Sequence, residues 1–514
     1  VLSTDRPMGA TEQKSLLLMT VDCLRADHVG FMGYERPTTP FLDSLATAAC
    51  VLPTAIVAGA PTYYSVPSIL ASRHPLDLGR DRLGLAPGEA SLASTLREAG
   101  YATAAFSAGN PYISRRFGFE QGFDTFHDFL GDEAGAVHRS GEPGDGNWTS
   151  RLNRGLASIS YRLGPIGGLY DELYFQYCQR RAASAGESLN ALRRFPAADV
   201  LVDAALRWLS SLGNRPFFLW LHFMDPHSPY YPATEALDAL APGKWTPGRA
   251  RYENSFWNRG DVGVRRLSRH RDDVVELYDA GIRWVDTQVE RLVEGLQALG
   301  SWDNCAAAWT ADHGEEFLDH GGRYHPPAHL HEELIRVPLL LRVPGLVSQK
   351  QPASPFSLVD LAPTLLSALG IDVPELFRGR SLWPQIQSGQ TWDRPAVAEC
   401  VAGCTNPFLV ASRLGPRVLA VREERYKLVL TFEPRGELLF DLQEDPREKA
   451  PLPAGTEKAA RSRLLAVARE HLWRSIEQRD MPARLRSCLR DVQLEWAGLP
   501  VQSLASQARS RCSA

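Results

Sequence analysis

Asp312 and His313 stand together at the end of a short apolar run, Cys305-Ala306-Ala307-Ala308-Trp309, with His320 and His325 just beyond. A carboxylate oxygen beside an imidazole nitrogen suits a divalent ion such as Zn²⁺ or Mn²⁺. Alone, such a dipeptide is more often a turn and cap than a ligand pair, so other donors must come from elsewhere. The chain supplies them. Asp22 ends one apolar run, His222, Asp225 and His227 end another, and Thr62 follows a Gly59-Ala60-Pro61 turn. Asp22, Thr62, His222, His227, Asp312, His313, His320 and His325 suffice for one or two metal sites. In them the threonine oxygen could be both ligand and nucleophile. A metal on that oxygen lowers its pKa and makes a weak nucleophile competent. The same charge would stabilise a tetrahedral phosphoryl or sulfuryl group.

These side chains need strands that end at one edge. Ser15 to Val21, Tyr101 to Ser107, Pro216 to Phe223 and Cys305 to Trp309 read as buried strands. Val51 to Val57 is a further strand candidate. Helices are predicted over 41–49, 63–72, 91–99, 197–212 and 272–299, with Thr39 as a cap before Pro40. Thr62 stands at a helix start, where a hydroxyl is ordinarily an N-cap. The same place also suits an anion. Gly314 is expected to let the backbone turn sharply after the ligands. Alternating strand and helix over 15–370 predicts a doubly wound, mostly parallel α/β sheet, whose ligands gather at the carboxyl ends of its strands. After about 390 the pattern changes to short strands near 418–421, 425–430 and 437–442 and a helix at 457–474. We therefore expect a catalytic α/β domain over 15–390, a smaller C-terminal antiparallel sheet with its helix over 391–478, and a tail over 479–514. The poorly patterned stretch 132–190 reads as a surface insertion.

Composition narrows the classes. With 56 Lys+Arg against 60 Asp+Glu, the net charge of −4 points away from nucleic acid. The Arg265–Arg271 patch lies between Asp261 and Asp272 and reads as a solvated face. The eight cysteines form no CxxC pair, which disfavours a zinc ribbon, and thiols are expected to be reduced. The longest apolar runs are strand length, so no transmembrane segment is expected. Residues 1–14 carry no signal-like core, which implies a cytoplasmic location, or an exported one if a leader precedes Val1.

Several ordered segments together resemble the sulfatase family of the alkaline phosphatase superfamily. They are Val21-Asp22-Cys23-Leu24-Arg25-Ala26-Asp27-His28; Gly33-Tyr34 with Thr39-Pro40; Ser65 through Arg73-His74-Pro75; His222 through Tyr230; Asp312-His313-Gly314-Glu315; and Leu330 through Pro338. Phe440-Asp441-Leu442 with Asp445-Pro446 resembles the family's C-terminal sheet motif. The nucleophile differs. The family carries Cys or Ser in a C/S-x-P-x-R motif, oxidised to formylglycine. Counted back from Arg73-His74-Pro75 that position is Thr62, and the motif's proline and arginine are absent. Ser65, in Ser65-Val66-Pro67-Ser68, is a lesser candidate nucleophile. Threonine here resembles the superfamily's phosphotransfer branches. The lysine that sulfatases often carry near His320–His325 is also missing. The resemblance implies that Asp22, Asp312, His313 and Thr62 form a first metal site. It implies that His227 and His325 contact the substrate oxyanion or a second metal. His222, Asp225, His320 and Arg25 are candidates to stand behind the ligands or to join a second metal. For His329 and His331 a purely structural role is expected.

The expected activity is metal-dependent hydrolysis of a sulfate or phosphate ester through Thr62. The rivals are a phosphoryl or phosphoethanolamine transferase on the same fold, and a non-catalytic anion-binding protein. One or two divalent ions (Zn, Mn, Ca or Mg) are implied. The substrate is expected to be an ester of a small molecule, glycan or lipid headgroup.

Overall fold

The computed structural model describes residues 13–80, 82–130, 175–176, 188–346 and 352–477. Nearly all of the 132–190 stretch, the 479–514 tail and Cys178, Cys488 and Cys512 lie outside these. A seven-stranded sheet forms the centre, in the order Cys50–Val51, Leu339–Arg342, Cys305–Ala311, Ser15–Val21, Phe217–Phe223, Ala102–Ser107, Thr125–His127. The last five are mutually parallel; Leu339–Arg342 runs antiparallel to Cys305–Ala311, and Cys50–Val51 antiparallel to Leu339–Arg342. The four longest parallel strands are buried at every residue, which explains why their sequences are apolar runs without alternation. Register then sets the site. Thr20 pairs with His222 and Val21 with Ala311, so Asp22 and Asp312 leave the sheet side by side.

Helices cover the sheet, the longest being Arg271–Ala298 and Ala198–Ser210. Three local expectations change. The 51–57 run splits at Pro53-Thr54 into Cys50–Val51 of the main sheet and Ala55–Ile56 of a separate three-stranded sheet. Thr39 does not cap its helix with its side chain. Asp286, reaching over from Arg271–Ala298, accepts from the free N–H groups of Phe41 (3.0 Å) and Leu42 (2.9 Å) instead. Gly314 is required for close approach rather than for a turn. A Cβ there would collide with the carbonyl of Glu333, while its own N–H donates to Leu334 O at 2.9 Å.

A four-stranded antiparallel sheet follows, Ala396–Val401, Arg417–Arg422, Tyr426–Phe432 and Arg435–Asp441, with the helix Lys458–Glu477 against it. The two sheets are joined by buried charge. Lys427 is fully buried, its ammonium 2.9 Å from Glu448 and 3.3 Å from Glu332. Removing one partner of such a cluster leaves an uncompensated buried charge. Lys427→Ala should therefore lose about 3–5 kcal/mol of stability by denaturant titration. A loss below about 1 kcal/mol would mean that water or a side-chain shift satisfies both carboxylates.

Candidate active site

Three adjacent strands deliver the cluster. Asp22 and Cys23 follow Ser15–Val21, Asp312 and His313 follow Cys305–Ala311, and His222 lies in the last turn of pleat of Phe217–Phe223. Asn110 arrives from beyond Ala102–Ser107, and Thr62 from the buried helix Thr62–Ala71. Pro61, not Thr62, holds the cap position, and no side-chain cap bond forms. Thr62 is the first residue inside the helix, and its hydroxyl is free to face the cluster. Its Oγ1 lies 3.2 Å from His313 Nε2 and 3.4 Å from Asp22 Oδ2. Asp22 Oδ2 also accepts from Asn110 Nδ2 at 2.9 Å and lies 3.4 Å from His222 Nε2.

The hydrogen-bond network assigns the histidine tautomers. His313 Nδ1 donates to Gly314 O at 2.8 Å, and His227 Nδ1 to Ser228 O at 2.6 Å. His222 Nδ1 lies 2.8 Å from Thr20 Oγ1, whose own hydroxyl proton points to Leu221 O. His313 and His227 thus keep Nε2 as a lone pair. Metal-binding histidines are held in this way, with the second nitrogen tied down.

The charges agree with a cation at the centre. Asp22, Asp312, His222 and His313 are fully buried. Asp312 Oδ1 accepts from the N–H groups of His313 (2.8 Å) and Cys23 (3.3 Å), while its Oδ2 has no hydrogen-bond partner. Burial, and then the neighbouring charge of Asp22, push Asp312 up to about 8. Burial also acts on Asp22, but His227 and His222 outweigh it and hold the group well below the usual range. Burial and the charge of His325 bring His313 down to about 4, which keeps it neutral, the form that binds metal. An orphaned buried oxygen and two carboxylates among lone-pair nitrogens fit a divalent ion held by Asp22, Asp312 and His222 or His313.

His325 and His227 close the other side, their ring centres 5.4 Å apart. His325 Nδ1 lies 3.6 Å from Glu315 Oε2. Burial lowers its pKa, but Glu315 outweighs burial and the net shift is upward. Three residues went unrecognised in the sequence: Asn110, Glu315 and Cys23, whose Sγ is 3.0 Å from Asp22 Oδ1. Asn110 and Cys23 each follow a buried strand closely, a position that could have marked them. Glu315 also follows a buried strand, four residues past Ala311, but its partner His325 comes from a separate loop.

Other candidates face elsewhere. Asp225 Oδ1 accepts from Ala198 N at the start of a helix. The Arg25 guanidinium is held by Asp27, Asp319 and Glu315 O, so it braces the loop carrying Glu315. Ser65 is bound to Thr62 O one turn inside the helix. His329 pairs with Glu316. His320 lies in a second cluster, stacked at 3.6 Å on His331. Its Nδ1 is 2.5 Å from Glu333 Oε1 and its Nε2 3.1 Å from Glu448 O, so both nitrogens donate and the ring is an imidazolium. Burial opposes that charge, but Glu333 wins and the pKa is raised. The stabilisation is therefore full below the unfolded value of 6.5 and is lost as pH rises through the folded one. Melting temperature should fall over that upward range, and His320→Gln should flatten the decline. Parallel curves for the two proteins would contradict this role.

Comparison with known proteins bears on the same centre. The family model described as Sulfatase matches residues 14–371. The chain belongs to the sulfatase family. A second model, the C-terminal part of N-sulphoglucosamine sulphohydrolase, matches residues 322–472. An arylsulfatase of Clostridium perfringens is 26% identical over 477 residues, covering 84% of this chain and 89% of that one. An N-acetylglucosamine-6-O-sulfatase of Bacteroides thetaiotaomicron is 26% identical over 260 residues, and there the match spans 46% of the relative's length and 50% of this chain. Among solved structures, a phosphonate monoester hydrolase from Silicibacter pomeroyi shares the fold with a TM-score of 0.63 at 20% identity, covering 91% of this chain and 96% of that one. This sulfatase-family chain is a hydrolase of sulfuric or phosphoric esters. Among its described residues, no helix is long and apolar enough to cross a membrane.

Proposed function

We propose that this enzyme hydrolyses a phosphoric ester, with Thr62 as nucleophile and a divalent ion held by Asp22, Asp312 and His313. The observation that carries the reading is the placement of Thr62 Oγ1 within 3.4 Å of both Asp22 and His313, on the first residue of a buried helix. Bound there, the ion would acidify the threonine hydroxyl and offset charge on the phosphoryl oxygens. Thr62, its hydroxyl proton released to solvent when the ion binds, attacks phosphorus through Oγ1 as the alkoxide, and the bond to the leaving oxygen breaks. His325, kept protonated by Glu315, gives that oxygen its proton. Water then attacks the threonyl ester, its proton returns to His325, and Thr62 is restored. Asn110 holds Asp22 in place, and His227 turns its Nε2 toward the oxygens of the transferred group. Threonine cannot become the formylglycine aldehyde, which favours phosphoric over sulfuric esters. The test is one screen of aryl sulfate, phosphate monoester and phosphodiester, each with Zn²⁺, Mn²⁺, Ca²⁺ and Mg²⁺. We expect metal-dependent turnover of a phosphoric ester to exceed that of aryl sulfate. A clear preference for sulfate, or turnover unaffected by chelation, would overturn the reading. Transfer of the phosphoryl group to an added alcohol in place of water would identify a transferase.

A further inference from the structure

We propose that the cleft between the far end of the Thr62–Ala71 helix and the helix Lys458–Glu477 binds a sugar-sized phosphate monoester, away from the catalytic centre and acting on it. The binding is independent of the reaction proposed above. The action on the centre rests on Thr62 being its nucleophile.

The cleft measures about 470 Å³, inside the roughly 300–1,000 Å³ of small-molecule sites. Arg378, Arg380 and Arg394 line it together with His74, Gln385 and Trp392. Arg394 is paired with Asp360 at 2.6 Å. Arg378 and Arg380 are exposed, and their guanidiniums have no hydrogen-bond or ion-pair partner among the described residues. Two of the carboxylates on the wall are engaged. Asp77 accepts from His74 N at 2.9 Å and from Ser475 Oγ at 3.3 Å, and Glu470 pairs with Arg474. One guanidinium is enough for a carboxylate ligand. Two unpaired ones beside a third suit the double charge and the several free oxygens of a phosphate monoester.

Inorganic phosphate would leave most of the cleft empty, and the rest of the lining suits a hydroxylated body. His74 Nδ1 and Gln385 Oε1 are buried and without a partner, which proteins seldom leave so. Burial, and then the charge of His471, bring His74 down to about 3, so its ring is neutral and serves a hydroxyl rather than an anion. Trp392 supplies an apolar flank, its indole fixed by donation to Pro355 O at 2.8 Å.

The arginines are carried on a strap tied to the nucleophile helix. Arg378 N donates to Ser72 O at 2.7 Å and Gly379 N to Ser72 Oγ at 3.0 Å, where Ser72 ends the helix in a left-handed conformation. Arg380 N donates to Asp360 Oδ1 at 2.8 Å. A Cβ on Gly379 would strike Val359 O and Ser72 Oγ, so only glycine lets the strap lie this close. The 10 residues of the helix put Thr62 about 15 Å from this end, beyond reach of an occupant of the cleft. An occupant gripped by Arg378 and Arg380 therefore bears on Thr62 through the strap and the helix, not by contact.

The test is calorimetric titration of the metal-loaded full chain with a hexose 6-phosphonate, which has no ester bond to cleave, and with inorganic phosphate. The phosphonate should bind more tightly than phosphate. Asp312→Ala should keep the cleft binding unchanged. Arg378→Gln/Arg380→Gln should weaken it at least about 10-fold, with the melting temperature and the basal turnover of a model ester unaltered. In the wild type the phosphonate should change kcat for that ester, and in the arginine variant it should not. Occupancy of the catalytic centre alone would raise KM and leave kcat as it was. Binding that Asp312→Ala abolishes and the arginine changes spare places the ligand at the metal centre only and overturns the proposal. Phosphate bound as tightly as the phosphonate means an adventitious ion only and overturns it too. Cleft binding with kcat unchanged overturns the action on Thr62. None of these outcomes touches the hydrolysis reading, which the substrate screen decides.

Discussion

Thr62→Ala will fold, keep its metal and lose turnover by several orders of magnitude. The helix does not depend on the side chain, because Pro61 occupies the cap position and no cap bond is lost. The cost to stability should therefore stay below the roughly 1 kcal/mol of a true N-cap removal. The cost to catalysis is of another order, since the atom that forms the bond to phosphorus is gone. Thr62→Ser keeps the hydroxyl at the same distance from His313 and Asp22 and should retain much of the rate. Circular dichroism, metal content and turnover on the same preparations check the prediction. Near-normal turnover in Thr62→Ala would remove the residue from the mechanism and leave a metal-bound water as nucleophile, because Ser65 is already committed to Thr62 O.

Asp312→Ala should lose bound metal and turnover together. Its Oδ2 is the buried oxygen without a partner, so it is the atom with most to gain from a cation. The wild-type protein carries a further signature. With Asp312 raised to about 8 in the metal-free protein, a proton competes with the ion for that oxygen. Metal affinity should rise with pH up to about 8, by up to about tenfold per unit for a single displaced proton, and then level off. Titrations at several pH values check the slope. Full metal stoichiometry in Asp312→Ala, or an affinity independent of pH between 6 and 8, would contradict the assignment.

The parallel strands were legible because each is buried on both faces and reads as an unbroken apolar run. The strand-exit residues followed, so Asp22, Thr62, His222, His227, Asp312, His313 and His325 could be gathered before any coordinates. What failed depended on partners distant in the chain. Nothing near Asp225 announces that Ala198 N would claim it. Nothing near His320 announces that Glu333 and Glu448 would bind both its nitrogens. Thr39 looked like a cap because Asp286, which does the work, lies 245 residues beyond Phe41, whose N–H it accepts. Cys23 was passed over because a thiol reads as core filling until its neighbours are known. The change near 390 showed as a change of period, yet the Lys427–Glu448–Glu332 cluster joining the two sheets carries no local signal at all.

The central strand has a history on the ribosome. Ser15–Val21 is the middle of the sheet, yet Thr20 meets His222 202 residues later, and Cys23 meets Asp312 289 residues later. At roughly 5–20 residues per second, synthesis takes about 10–40 s to deliver the first neighbour and about 15–60 s to deliver the second. For that interval Leu16-Leu17-Leu18-Met19 is an apolar strand with both edges open, the kind of segment that recruits a chaperone or pairs with the wrong chain. The half-built metal site waits with it, because Asp22 and Cys23 have no histidine beside them until the sheet closes. Yield of this protein in a cell should then be governed by how well one seven-residue strand is shielded during the first minute of its existence.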